Sequence, residues 1–119
     1  MANTFKVVTN DAMPTSASTP LALYTCPSST TTVVLGLILA NVHSASVTAS
    51  VKLTSGTAGS NPNTNSDVWL VKDVSIPVGS SLEVLSGSKV VLQTTDDLLI
   101  DCSVSAKIDA ALSIMEITS

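Results

Sequence analysis

Residues 46–54 read Ser-Val-Thr-Ala-Ser-Val-Lys-Leu-Thr, and they are the clearest indication of the fold class. Its apolar residues alternate without error with polar or charged ones: Val47, Ala49, Val51 and Leu53. A period of two places successive side chains on opposite faces of a β-strand. The pattern therefore predicts a strand with one buried face and one solvated face.

The same alternation recurs along the chain. Apolar side chains again occupy every second position over residues 97–106 and 108–115. The phase becomes irregular at Glu116 and Ile117, which predicts a β-bulge or the end of a strand there. Shorter apolar runs complete a set of about nine predicted strands; these runs are residues 5–9, 21–26, 31–42, 68–76, 81–85 and 89–93.

Turn residues separate these runs. Pro77-Val78-Gly79 lies between two of them, and Ser86-Gly87-Ser88 predicts a short hairpin loop between residues 81–85 and 89–93. No segment shows the 3.6-residue apolar spacing of an amphipathic helix. The sequence therefore predicts an all-β fold, an antiparallel β-sandwich of either immunoglobulin-like or jelly-roll type.

Chain length and charge limit the domain number and the class of partner. The 119 residues predict a single sandwich domain over residues 1–119, in which the proline-containing residues 10–20 form a loop or arm. Nine carboxylates stand against five lysines, and there is no arginine, so the net charge is -4. Binding to nucleic acid is not expected, because it requires clustered cations.

The sequence also limits the compartment. Residues 1–6 lack the basic start and apolar run of a secretory signal, so synthesis and retention in a cytosol are expected. The longest apolar run, residues 33–42, is too short to span a bilayer as a helix, which takes about 20 residues. No membrane partner is predicted.

The residue types needed for catalysis are present without the spacing that catalysis requires. His43 is the only histidine and lies in a predicted turn, and Cys102 is predicted to face inward from a strand. No Gly-x-Ser-x-Gly motif is present. The chain is therefore predicted not to be an enzyme and to need no cofactor. Asp96, Asp97 and Asp101 are interpreted as keeping a surface or sheet edge soluble.

The sequence likewise gives little indication of a metal site, a disulfide or a ligand site. Residues 61–67 carry several side chains with oxygen atoms, but only one of them is a carboxylate. A calcium loop needs several carboxylates, so no metal site is predicted. Cys26 and Cys102 are interpreted as small buried residues and not as a disulfide. Trp69 is predicted to fill the core or a subunit seam. The long loop at residues 55–67 is of a size that is often mobile or engaged with a partner.

Residues 31–42 differ from the other predicted strands because both faces are apolar. The odd positions hold Val33, Leu35, Leu37 and Leu39, and the even positions hold Val34, Ile38, Ala40 and Val42. A strand of a solvated sandwich has one polar face. Either the chain itself covers the second face, or this face contacts another subunit, and the sequence leaves both open. The candidate subunit interface consists of Val34, Ile38, Ala40 and Val42.

Several of these segments together resemble small all-β virion structural proteins of tailed bacteriophages of the marine and cyanobacterial type. The resemblance spans residues 20–118. It rests on residues 24–27 (Tyr-Thr-Cys-Pro), 33–37 (Val-Val-Leu-Gly-Leu), 76–82 (Ile-Pro-Val-Gly-Ser-Ser-Leu) and 112–118 (Leu-Ser-Ile-Met-Glu-Ile-Thr), with Ala40-Asn41 and Asp97-Leu98 between them.

The resemblance implies a structural protein located in the virion. Its expected role is a capsid decoration (cement) subunit that stabilises the head shell, with a neck, tail or fibre-attachment protein as the alternative. The expected partners are further copies of the chain and either the major capsid protein or tail and neck proteins. A second alternative, from the residues, is a module that binds a host surface or a carbohydrate through residues 55–67.

Overall fold

The computed structural model describes residues 2–12, 20–55, 65–85 and 89–118. In these residues it contains nine strands and no helix, which confirms the all-β prediction. The strands are β1 (Ala2–Asn10), β2 (Leu21–Thr25), β3 (Thr30–Asn41), β4 (Val47–Thr54), β5 (Val68–Ile76), β6 (Ser81–Glu83), β7 (Val90–Leu92), β8 (Asp97–Cys102) and β9 (Ile108–Thr118).

Two antiparallel sheets form the sandwich. Sheet A has the order β1-β9-β3-β6, with β7 also paired to β3, and sheet B has the order β2-β8-β4-β5. Most successive strands lie in opposite sheets, with β4 and β5 paired in sheet B as the exception besides β6 and β7, and the first and last strands are neighbours. This is the strand order of an eight-stranded jelly roll in which β6 and β7 together form one strand. Of the two sandwich types that the sequence allowed, the structure has the jelly roll.

The predicted hairpin between β6 and β7 is wrong. β6 pairs with residues 38–40 of β3, whereas β7 pairs with residues 32–34. The two short strands therefore lie end to end along one edge of β3 and do not pair with each other. The 12 residues of β3 are long enough to take both. The loop residues 86–88 lie outside the described residues.

The core lies between the two sheets and is built from the alternating side chains. The strand predicted for residues 46–54 and its buried face are confirmed, because Val47, Ala49 and Val51 of β4 face the core. The opposite face is less solvated than predicted, because Thr48 and Lys52 are half-buried and Ser50 is buried. Other fully buried side chains come from both sheets: Leu37, Leu39, Leu92, Leu98, Ile100, Ile108, Leu112 and Ile114. Burial of each large aliphatic side chain contributes roughly 1.5–3 kcal/mol.

A β-bulge divides β3 into two halves of opposite phase. Val34 pairs with Ile114 of β9, but Gly36 pairs with Ser113, so Leu35 is an extra residue on β3. Before the bulge the even positions of β3 face the core, and after it the odd positions do, as the burial of Val34 and Leu37 shows. The bulge explains why both sets of positions in residues 31–42 are apolar.

Two predicted strand ends are corrected. β9 continues without a register shift to Thr118, so no bulge or end occurs at Glu116, whose side chain faces inward. The phase was obscured because this inward position holds a carboxylate. β8, by contrast, ends at Cys102 and not at Ala106, because the chain turns there and Ala106 has a φ of 58°.

Candidate assembly surface

The outer face of sheet A, the face turned away from sheet B, is predominantly apolar. Most of the exposed large hydrophobic side chains in the described part of the chain belong to it or to its margin: Phe5, Val7, Leu35, Ile38, Val42 and Val91. Phe5 and Val7 are the most exposed, at 71% and 65%. They pair with Met115 and Ser113 of β9, which also face outward. A contiguous apolar surface of this kind is typical of a protein contact.

Ile38 lies between two hollows on this face. A hollow of about 500 Å³ lies on one side, lined by Ile38 together with Thr9, Asp11, Ala40 and Asp109. A second hollow of about 270 Å³ is lined by Ile38 together with Gly36, Glu83 and Ser113. Gly36, which has no side chain, and Ala40, which has only a methyl group, leave room beside the isoleucine. A surface with a protruding aliphatic side chain between open hollows fits a protein partner of complementary relief.

The structure separates the four candidate interface residues. Val34 is fully buried between the sheets, so its inclusion was wrong: the bulge at Leu35 places it on the opposite face from the other three. Ile38 and Val42 are exposed to 43% and 51%, and Ala40 is half-buried on the same outer face. A subunit contact through Ile38, Ala40 and Val42 stays a prediction.

A partly buried polar network connects the two sheets of the sandwich. Tyr24 Oη donates a hydrogen bond of 2.6 Å to Glu116 Oε2 and lies 2.8 Å from Thr32 Oγ1. Lys6 Nζ lies 2.8 Å from Glu116 Oε1. The hydrogen bonds from Lys6 and Tyr24 hold the pKa of Glu116 below its usual range. Burial and the Glu116 contact raise the pKa of the Tyr24 hydroxyl, which therefore remains a donor.

Sequence reasoning missed Glu116, although one signal was available. Glu116 occupies the next inward-facing position of the alternation that runs through residues 108–114. A carboxylate in that phase indicates a charge that must find partners inside the protein.

Both cysteines are buried, and both are free thiols in the structure. The Cys26 thiol lies within 3.3 Å of the Thr30 carbonyl oxygen and of Thr32 Oγ1, next to the polar network. Burial raises the pKa of the Cys102 thiol, whose sulfur donates to the Val104 carbonyl at 3.0 Å. A thiol with a raised pKa is a poor nucleophile at neutral pH.

Trp69 lies on the outer face of sheet B. The prediction that it fills the core is therefore wrong. Its ring is flanked by Lys52 and Lys72, whose Nζ atoms lie 5.4 and 4.7 Å from the ring centroid. The indole is 37% exposed, because residue 69 points outward next to Lys52. The alternative of a subunit seam at Trp69 stays a prediction.

The aspartates interpreted as solubilising are mostly buried. Asp96 closes the turn before β8 by accepting a hydrogen bond of 3.0 Å from the Gln93 N–H. Asp101 lies on β8 opposite Ser50 of β4, and both residues are buried. Its Oδ2 has no hydrogen-bond partner among the described residues. Burial raises the pKa of Asp101 despite the nearby Lys72 ammonium. The sequence placed Asp96 in a turn and Asp97 and Asp101 on the polar face of a strand, but it did not reveal that Asp96 and Asp101 are buried.

Among the described residues, those considered for catalysis are not brought together; residues 61–64 of the segment considered for calcium lie outside the described residues. His43 lies in the bend after β3, where its N–H donates to Asn41 Oδ1 at 2.7 Å. Within the described ranges its imidazole makes no hydrogen bond to a serine, cysteine or carboxylate, and no group of three metal-ligating side chains occurs. No helix in those ranges is long and apolar enough to cross a membrane. Most of the two predicted loops, residues 13–19 and 56–64, falls outside the described residues.

The fold is similar to that of two viral capsid structures. VP2 of the infectious bursal disease virus subviral particle aligns with 96% of this chain at 12% identity and a TM-score of 0.51. A chain of an infectious bursal disease virus particle aligns with 96% at 12% identity and a TM-score of 0.53. This chain spans about a third of their length, 32% and 30% respectively. At this identity the likeness is one of fold.

A third similar structure comes from Bacillus endospore appendages, described as a family of disulfide-linked pili. It aligns with 98% of this chain and 88% of its own length, at 14% identity and a TM-score of 0.48. No family model matches the sequence, and no curated protein matches it.

Proposed function

We propose that the protein is a self-associating structural subunit of a virus particle, and specifically a decoration subunit on the outside of a tailed-phage capsid. The observation that carries the proposal is the apolar outer face of sheet A, with Ile38 exposed between two open hollows. An exposed sheet face of this composition is stabilised when another protein covers it.

Three further features support a structural role. The jelly roll is a fold used by virus capsid proteins. The sequence resembles small virion proteins over residues 20–118. The net charge of -4 disfavours contact with packaged nucleic acid, which leaves the outside of a shell as the suitable location. The role is therefore one of binding neighbouring proteins, without catalysis.

The size of the outer face is compatible with a specific contact. β3 has 12 residues and β9 has 11, each rising about 3.3 Å per residue, and the strands of sheet A lie about 4.8 Å apart. The face is thus on the order of 700 Å² in projection, comparable to the roughly 800 Å² per partner of a standard interface.

Two measurements test this proposal. Particles of the source virus are purified, and the chain is located by density at the resolution of single subunits. A regular layer on the head shell is the expected result, whereas density in the neck, tail or fibres assigns the chain to those structures. Absence of the chain from purified particles, together with a monomeric light-scattering mass, contradicts a virion role.

A further inference from the structure

The four sheet edges of the sandwich differ in how well they are protected against pairing with another strand. A sheet edge presents unpaired N–H and C=O groups, and natural proteins block it with short strands, bulges, lysines or irregular backbone. One edge of sheet A consists of β6 and β7, which have three residues each. The edge strand β2 of sheet B has five residues and a register shift between Ala22 and Tyr24.

The other edge of sheet B is protected more strongly. β5 has two register shifts against β4, one of them around Asp73, whose φ is 51°. The Asp73 N–H donates to Ser50 Oγ at 2.8 Å, which fixes the distortion. Lys72 also projects from this strand. A straight partner strand cannot follow such an edge over its full length.

β1 lacks these protections. All nine residues of Ala2–Asn10 pair with β9 without a register shift, so the strand is long and regular. Its outer edge pairs with no strand in the described part of the chain, and seven of its nine residues are exposed. Lys6 is its single charged residue, and its ammonium is bound to the Glu116 carboxylate at 2.8 Å, so the charge is compensated within the subunit.

We propose that β1 pairs antiparallel with β1 of a second copy of this chain across a two-fold axis. A second copy is the fitting partner because pairing of an edge with itself is self-complementary, as a closed dimer requires. The remaining described edges are blocked, so a head-to-tail contact between β1 and another edge of the next copy is disfavoured. Pairing through β1 joins the two A sheets into one continuous sheet.

The side chains agree with this arrangement. A two-fold axis perpendicular to the sheet keeps the outer faces of both copies on the same side. Phe5 and Val7 of one copy then lie beside those of the other, and cross-strand pairs of such residues stabilise a sheet by roughly 0.2–1 kcal/mol each. The apolar outer face is thereby doubled in width. The inference does not depend on a location in a virion.

Cysteine cross-linking in the full chain tests the contact directly. The variants are Thr4→Cys, Phe5→Cys and Val7→Cys, and Val78→Cys in the exposed turn after β5 is the matched control. Cys26 and Cys102 are buried, which keeps the background low. We expect a light-scattering mass of two chains or of a larger even number of chains. Under mild oxidation, at least one β1 variant should form covalent dimers about tenfold faster than the control.

Amide hydrogen exchange provides a second test without substitutions. In the dimer, all amides of Ala2–Asn10 should be protected, and dilution to monomer should expose every second one while the amides bonded to β9 stay protected. A monomeric mass at all concentrations overturns the proposal. So does an oligomer in which no β1 cysteine cross-links faster than Val78→Cys, or in which dilution leaves β1 exchange unchanged. A particle-density result bears on the proposed function alone.

Discussion

Tyr24 and Glu116 lie 92 residues apart in the sequence, and their side chains share a hydrogen bond of 2.6 Å. Tyr24 belongs to β2 in sheet B, and Glu116 belongs to β9 in sheet A, so the bond joins the two layers of the sandwich. Lys6 extends the same network to the edge strand β1. A polar network with all members satisfied favours one arrangement of strands over its alternatives.

Replacement of Glu116 by glutamine should destabilise the fold at neutral pH. Glu116→Gln keeps the shape of the side chain but removes the charge that Lys6 and Tyr24 bind, which should lower the free energy of unfolding by about 1–2 kcal/mol. Urea unfolding at pH 7 measures the difference. Glu83→Gln, on the exposed strand β6, is the control and should change stability by less than about 0.5 kcal/mol.

The pH dependence of the Glu116→Gln effect has a definite sign. The pKa of Glu116 is lowered in the folded protein, so its contribution to stability is present above the ordinary glutamate pKa and is lost as the pH falls through the lowered value. The difference between the two proteins should therefore shrink on acidification below about pH 4. A difference that stays constant down to pH 2 would contradict this assignment.

Replacement of Asp101 by asparagine should stabilise the protein at pH 7. Burial raises the pKa of Asp101 in the folded protein. The ionised carboxylate therefore destabilises the fold: the free energy of unfolding falls as the pH rises from the ordinary aspartate pKa to the raised value, and the full loss is present above the raised value. Asp101→Asn removes that charge and should raise the free energy of unfolding by about 1 kcal/mol. Thermal unfolding at pH 7, with the exposed Asp109→Asn as control, provides the measurement. A lower melting temperature for Asp101→Asn would show that the carboxylate makes a required contact.

Two glycines should respond in opposite directions to alanine. An added Cβ at Gly36 meets no atom within 4 Å, and Gly36→Ala should raise stability by about 0.5 kcal/mol, because the unfolded chain loses freedom. Gly79 has a φ of 73° in the turn before β6, so Gly79→Ala should lower stability by about 1 kcal/mol. Denaturant midpoints of both variants test the pair, and equal shifts would count against the turn geometry.

Aspartate at position 38 should weaken assembly without unfolding the subunit. Ile38 is exposed between the two hollows, so Ile38→Asp places a charge where the proposed contact excludes water. We expect a smaller light-scattering mass and an unchanged melting temperature. Val78→Asp, at a similarly exposed position, should leave the mass unchanged. Should Ile38→Asp retain the mass of the unsubstituted protein, the outer face of sheet A is not the contact.

The sequence predicts individual strands best where the two faces differ in polarity. β4 was located correctly because Val47, Ala49 and Val51 face the core while Thr48 and Lys52 do not. In β3 both faces are apolar, so alternation carries no information about which residues face inward, and the bulge at Leu35 could not be placed. Val34 was assigned to the wrong face for that reason.

Features that depend on distant partners escaped the sequence. β6 and β7 resemble the arms of a hairpin locally, yet both pair with β3, which is set by the geometry of the sheet. Asp101 is buried where it pairs with Ser50 of β4, which is distant in the sequence. The partners of Glu116 lie on β1 and β2, far away in the sequence. Local patterns thus predict individual strands, whereas the pairing between strands determines which polar residues are buried and which partners they contact.

The bulge in β3 is required because residues at the two ends of the strand, one at an even and one at an odd position, must both face inward. Thr32, an even position, must face inward to reach Tyr24, and Asn41, an odd position, must face inward to donate to the Ala45 and Ile76 carbonyls. Strict alternation cannot place residues of opposite parity on one side, so an odd number of insertions must lie between them. Insertion or deletion of a single residue in this interval would therefore exchange the interior and exterior of half the strand, whereas most substitutions would not.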